Sequence, residues 1–319
     1  MRKLNVVYFG IPTGPVEWYQ PIREAIAAQH HLTSYDPNGP LQQFAAADAV
    51  VDLGGATREM MEAAPKAGLW QIFGTGVEHI DLAYLKSRGI AVANCPGSSS
   101  CVGLGECVMM FILMLTRKWR ETQSNMAQGV LFKPTGRSLV GLTLAIVGFG
   151  ASGREVARRA KGFGMRIEAI DLVRPDPGVM AELQPDFMGT PEDFDQVIAR
   201  CDFVSVHLHL NESTRHIIDA RRIAMMKPTA CVINVARGPL VDEAALYRAL
   251  LAGKLGGAGL DVFSKEPADM SEPALHLPNV ITTPHVSGQT NDTLRRRIAM
   301  VMENLGRFAE KRDILYRVA

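Results

Sequence analysis

The chain has 319 residues, enough at roughly 150 residues per domain for two hydrophobic cores, which excludes a small cross-linked scaffold. Hydrophobic residues make up 47% and charged residues 21%, the balance of a folded protein, so disorder is excluded as the main state. With 34 Lys and Arg against 33 Asp and Glu the formal charge is +1; no global field draws a polyanion, and a small-molecule partner is expected rather than nucleic acid.

In chain order, the first hundred residues alternate β-rich runs with helical patterns. Strands are predicted at Leu4–Phe9, Asp48–Leu53, Leu69–Phe73 and Ile90–Asn94, and helices at Val16–Gln29, Glu59–Lys66 and Leu82–Arg88. Such alternation predicts an α/β fold with a parallel sheet covered by helices. The run Pro96-Gly97-Ser98-Ser99-Ser100 breaks the pattern before one long helix predicted from about Val102 to Gln128, and a domain hinge is placed there. From Gly141 the alternation restarts, with strands Leu142–Val147, Arg166–Ile170, Phe203–Leu208, Ala230–Val235, Gly257–Val262 and Val280–Thr282, and helices Gly153–Phe163 and Glu243–Leu251. The segment from Thr290 to about Lys311 sets Leu294, Ile298, Val301, Met302, Leu305 and Phe308 at helical spacing, predicting a helix that covers an open face.

Cys95, Cys101, Cys107, Cys201 and Cys231 form an odd set without a CxxC pair, which fits neither a disulfide framework nor a zinc site. They are expected to be reduced thiols, and no metal is expected. The first apolar run, Leu4–Phe9, is stopped by Gly10 and Pro12, too short for a secretory core. The longest, Cys107–Leu115, is too short to cross a bilayer. A cytoplasmic protein without a membrane partner is expected.

Gly148-Phe149-Gly150-Ala151-Ser152-Gly153 matches GxGxxG, a weak signal alone. Here it follows the strand-like Leu144–Val147, opens a helical pattern, and precedes a second strand ending in Asp171, twenty-three residues after Gly148. Those are the parts of a dinucleotide-binding βαβ unit. Gly148, Gly150 and Gly153 permit the tight turn, the helix N-terminus faces a pyrophosphate, and Asp171 accepts ribose hydroxyls. A carboxylate there repels the 2′-phosphate of NADP, so NAD (NADH) is favoured and NADP disfavoured. Arg174 reads as a solvated loop cation.

Three segments bear on the reaction: Asn234–Gly238, Gly259–Phe263 running on to Glu266-Pro267, and Thr283–Gly288. Each follows a strand-like run, and the C-terminal ends of parallel strands share one edge where ligands bind, so Arg237, Glu266 and His285 can converge. A guanidinium, a carboxylate and an imidazole suit reduction of a 2-keto acid. Arg237 would hold the substrate carboxylate bidentately and polarise the carbonyl. His285 would protonate the developing alkoxide, and Glu266 would fix its tautomer.

Over essentially its full length the chain resembles the D-isomer-specific 2-hydroxyacid dehydrogenase family. The resemblance rests on GxGxxG together with Gly74–Asp81 (GTGVEHID), Arg88–Gly97 (RGIAVANCPG), Asn234–Asp242 (NVARGPLVD), Gly259–Phe263 with Glu266-Pro267, and Pro284-His285. It implies two lobes: a flavodoxin-like substrate domain, residues 1–101 and 288–319, and an inserted Rossmann NAD-binding domain, residues 102–287. It further implies Arg237, Glu266 and His285 as the catalytic set, Ala151 and Ser152 at the pyrophosphate, His207, Val235, Ala236 and Gly288 lining the cofactor, and Asp261 near the nicotinamide. Gly54 and the backbone amides of Gly74, Thr75 and Gly76 would meet the substrate. Family members are usually homodimers through the cofactor domain.

The chain departs from the common family pattern in three places. His209 stands where proline is common, Gly103 and Gly105 enrich the start of the long helix, and Leu53-Gly54-Gly55-Ala56 offers no bulky side chain, so a larger 2-keto acid is expected to fit. His79 lies near the presumed carboxylate loop. Two alternatives stay open. A phosphoglycerate- or formate-type specialised dehydrogenase would need, for a phosphate, cations such as Arg58 or Lys66; an NAD(H)-sensing, non-enzymatic regulator would use the same fold.

Overall fold

Short parallel strands buried at every position, Ala49–Asp52, Leu69–Ile72, Phe203–Val206, Cys231–Asn234 and Gly257–Leu260 among them, require two sheets each covered on both faces. The computed structural model describes residues 2–10 and 16–319; Pro12, expected to end the first strand, lies outside them. The chain divides into two compact units, Met1–Ser99 with Thr290–Ala319, and Ser100–Gln289. The expected boundaries at 101/102 and 287/288 fall two residues from these.

The first unit runs β1 (Asn5–Phe9), α1 (Val16–Gln29), β2 (His31–Ser34), β3 (Ala49–Asp52), α2 (Arg58–Glu62), β4 (Leu69–Ile72), α3 (Leu82–Ser87) and β5 (Ala91–Ala93). Its strands are all parallel in the order β2-β1-β3-β4-β5, the flavodoxin-like arrangement. Successive side chains of β1 part to opposite faces. Leu4, Val6 and Tyr8 join a core with Ile22 and Ile26 of α1, whereas Val7 and Phe9 pack with Phe44, Met61 and Trp70. The last helix covers the first of these faces, through buried Leu294, Val301 and Leu305.

In the second unit the order of elements is α4 (Cys101–Thr116), α5 (Trp119–Ala127), β6 (Thr143–Val147), α6 (Ala151–Gly162), β7 (Arg166–Ile170), α7 (Pro177–Leu183), β8 (Phe187–Gly189), α8 (Phe194–Arg200), β9 (Phe203–Val206), α9 (Ala220–Met225), β10 (Cys231–Asn234), α10 (Glu243–Leu251), β11 (Gly257–Leu260) and β12 (Val280–Thr282); α11 (Asn291–Ala309) returns to the first unit. The seven strands are parallel in the order β12-β11-β10-β9-β6-β7-β8. That is a Rossmann sheet with one added strand.

The single helix predicted over Val102–Gln128 is two. Thr116 Oγ1 bonds back to the Ile112 and Leu113 carbonyls, and Lys118 adopts a left-handed conformation, φ +51, which ends one helix and starts the next. The strands β2 and β8, absent from the sequence reading, lie at sheet edges, where a single neighbour leaves little apolar alternation to read. Among the described residues no helix is long and apolar enough to cross a membrane.

Candidate active site

The order of the seven-stranded sheet reverses between β6 and β9, where a doubly wound sheet opens its ligand crevice. The loops after these strands touch there. Gly148 has φ +98, and a Cβ on it would lie 2.6 Å from the His207 carbonyl oxygen; Gly153 is as closely packed on the Gly148 carbonyl. Gly150 precedes α6, whose first-turn amides, Ala151 and Ser152 among them, have no capping side chain and so are available to an anion. Asp171, one residue beyond β7, accepts the Phe149 amide at 2.6 Å and the Val173 amide at 3.1 Å. The absent Cβ atoms, open amides and a carboxylate at the next strand end fit a dinucleotide.

His207 sits just past β9, because the strand predicted to Leu208 stops at Val206. Its Nδ1 lies 2.7 Å from Ser152 Oγ and its Nε2 2.8 Å from Ser205 Oγ. Burial pushes the imidazole down to about 3. A neutral ring has one donor and one acceptor nitrogen, so one serine donates to it and the other accepts. Among the described residues no group of three His, Cys, Asp or Glu is placed to hold a metal.

Arg237, Glu266 and His285 follow β10, β11 and β12, three neighbouring strands. His285 Nδ1 and Glu266 Oε2 are 2.8 Å apart, and Glu266 Oε1 accepts the Phe263 amide at 3.1 Å. Burial alone would raise the Glu266 carboxyl; the bond to His285, the Phe263 amide and the Arg237 charge bring it below the usual glutamate value. The turn carrying Arg237 is shaped by buried Asn234, which donates to the Arg237 carbonyl at 2.8 Å and accepts the Ala236 amide at 3.1 Å; Val235 beside it is buried. A Cβ on Gly238 would fall 2.0 Å from the Phe263 carbonyl carbon, so this turn rests directly on the one leading to Glu266.

Asp261 is fully buried. Its carboxylate accepts Thr283 Oγ1 at 2.6 Å and the amides of Val286 and Ser287 at 2.8 and 2.9 Å, while its carbonyl takes the His285 amide at 2.8 Å. His285 has φ +55, uncommon for a residue other than glycine, and this clamp is what sustains it. Gly288 packs near Ser100 and Leu104. Sequence reasoning assigned no role to Asn234, Ser205 or Glu243; Glu243 accepts the Ser264 amide at 2.6 Å and so anchors the same turn as Glu266. Asn234 opens the Asn234–Asp242 motif and Glu243 directly follows it, but a hydrogen bond across loops leaves no periodic trace.

In the first unit Gly54 follows β3, and Gly74, Thr75 and Gly76 follow β4, at the carboxyl-terminal edge of that sheet. The Gly74 carbonyl accepts the Cys95 amide at 3.0 Å, and the Thr75 carbonyl accepts Asn94 Nδ2 at 2.7 Å. Arg58, considered as a phosphate cation, is engaged elsewhere: it pairs with Glu62 and Asp81 and stacks 3.6 Å over the Tyr84 ring. Burial pushes the thiols of Cys95, Cys107, Cys201 and Cys231 up to about 12, so they are protonated at neutral pH.

Together, the glycine-lined cradle at a Rossmann switch point and the imidazole–carboxylate pair on the same strand edge define a dinucleotide-dependent oxidoreductase. The family model for "D-isomer specific 2-hydroxyacid dehydrogenase, NAD binding domain" matches residues 109–287. The hydroxypyruvate reductase of Thermotoga maritima is 37% identical over 244 residues, 75% of this chain and 77% of that protein. The glyoxylate reductase of Korarchaeum cryptofilum is 37% identical over 253 residues, 77% of this chain and 74% of that protein. A crystal structure of D-lactate dehydrogenase from Aquifex aeolicus, complexed with NAD and lactic acid, superposes with a TM-score of 0.82 at 27% identity over 96% of each chain. The chain belongs to the D-isomer-specific 2-hydroxyacid dehydrogenases, a family of NAD-dependent oxidoreductases.

Proposed function

We propose that the protein interconverts a 2-keto acid and a D-2-hydroxy acid, with His285 as general acid and base. NADH, when bound, supplies the hydride. With Nδ1 engaged by Glu266, His285 exchanges its proton through Nε2, protonating the carbonyl oxygen in reduction and taking the hydroxyl proton in oxidation. Arg237 presents its planar fork to the substrate carboxylate. Asp171 meets the adenosine ribose and disfavours a 2′-phosphate. The observation that carries this reading is the 2.8 Å His285–Glu266 pair, with Arg237 on the neighbouring strand of the same sheet.

Unit 1 is read as the substrate lobe, with Gly54, Gly74, Thr75 and Gly76 at the keto acid; the small side chains of Leu53–Ala56 favour a branched or aromatic substrate. The exposed apolar arm of unit 2, with Met126 at 76%, Leu131 at 70% and Phe132 at 99% exposure, is read as the surface that joins two copies in a homodimer. Reduced, protonated thiols suit the cytoplasm. The test is loss of NADH absorbance with glyoxylate, hydroxypyruvate, pyruvate, 2-ketoisocaproate and phenylpyruvate, for the wild type and His285→Ala, with chiral analysis of the product. Turnover that survives His285→Ala, or an L product, would sink the proposal.

A further inference from the structure

In the five-stranded sheet the strand order reverses between β1 and β3, and ligands of such sheets bind outside the carboxyl ends of the strands at that point. The last residue of β3 is Asp52, and it is fully buried. A buried carboxylate is costly unless donors surround it, and an apolar residue of similar size would serve stability as well. Asp52 Oδ1 accepts the Gly54 amide at 2.7 Å. Oδ2 accepts the Trp70 indole N–H at 3.1 Å and lies 3.3 Å from His79 Nε2.

These donors come from three places. Gly54 belongs to the turn after β3, Trp70 to the buried middle of β4, and His79 to the turn that begins at Gly74. Trp70 is immobilised by burial, so it fixes the carboxylate; Gly54 and His79 are then fixed by the carboxylate. The far side of the second turn is held independently, by Cys95 and Asn94 on the Gly74 and Thr75 carbonyls. One buried carboxyl group therefore ties together the two small-residue turns at the carboxyl-terminal edge.

We propose that Asp52 is a positioning residue for substrate, acting through Gly54 and His79 to hold the turns Leu53–Ala56 and Gly74–His79 at the spacing a 2-keto acid requires. This rests on the reading of unit 1 as the substrate lobe. The sidedness of the cluster supplies the test, because the His79 side chain is 34% exposed whereas Asp52 is not exposed at all. His79→Leu removes one donor without opening the core, and His79→Gln returns one.

Steady-state kinetics on the full-length protein with NADH should show KM for the best keto acid raised about tenfold in His79→Leu, the scale of one lost hydrogen bond. The turnover number and KM for NADH should stay within about threefold, the signature of lost uniform binding, and His79→Gln should recover most of the loss. Hydrogen exchange at the Gly54 amide should be about tenfold faster in His79→Leu than in the wild type. An unchanged keto-acid KM, or a fall in turnover number and NADH binding together with melting temperature, overturns the positioning role. If the wild type reduces no keto acid, the proposed reaction fails; Gly54 exchange that is then the same in wild type and His79→Leu overturns the clamp as well, and faster exchange in the variant sustains the clamp alone.

Discussion

Glu266 Oε2 and His285 Nδ1 are 2.8 Å apart, so one imidazole nitrogen is engaged by the protein, and in the proposed reaction the other serves the substrate. Replacing Glu266 by Gln should lower the turnover number by about a hundredfold and leave NADH binding unchanged. The Glu266 carboxyl lies below the usual glutamate value, so its contribution to stability and activity is complete above that value and lost as pH falls through the lowered one. The wild type should show this acidic limb in its rate profile; an identical limb in Glu266→Gln would assign it to another group.

His207 gives a second pH dependence, of stability rather than rate. Its native value is about 3 against an ordinary 6.5, so below 6.5 the unfolded chain takes up a proton that the folded chain refuses. Stability should fall on acidification between those limits, by at most about 1.4 kcal/mol per pH unit. Denaturant unfolding from neutral pH downwards should show the decline, with a shallower slope in His207→Asn.

Asp171 is held by the Phe149 and Val173 amides at the end of β7. Asp171→Ser should shift the ratio of kcat/KM for NADPH over NADH upward by about tenfold or more, the equivalent of about 1.4 kcal/mol of removed repulsion. A wild type that already prefers NADPH would contradict the role given to this carboxylate.

Gly238→Ala tests the contact between the turns of Arg237 and Glu266. The added methyl meets the Phe263 backbone at 2.0 Å, so the turns must separate. Destabilisation of about 1–3 kcal/mol is expected, with a loss of about a hundredfold in turnover number. Calorimetry and kinetics with saturating NADH measure the two separately.

Phe132 is 99% exposed, so Phe132→Asp cannot damage a core. Light scattering should find a dimer in the wild type and a monomer in the variant. A wild-type monomer would remove the arm from consideration as an interface.

Much of the candidate site's layout was readable along the chain because each piece is local. GxGxxG, Asp171 at a strand end, and Arg237, Glu266 and His285 after β-rich runs are spacings, and spacing survives in one dimension. The last helix was legible through its apolar period, and the face it covers, with α1 in the first unit, came only from the fold. The long helix was misread as one because nothing in its composition marks Lys118, where neither Gly nor Pro breaks the chain.

Sequence alone determined most of the strands and helices, though not the edge strands β2 and β8 or the break at Lys118, and the chemical types at the strand ends, since these depend on patterns within a dozen residues. Only the tertiary structure decided that β10, β11 and β12 are neighbours, that Asp261 clamps the backbone of the His285 loop, and that a carboxylate at position 52 is buried among Gly54, Trp70 and His79. Strand order and buried hydrogen bonds join residues far apart in the chain, and their energies depend on exclusion of water, which exists only once the sheets have closed over them.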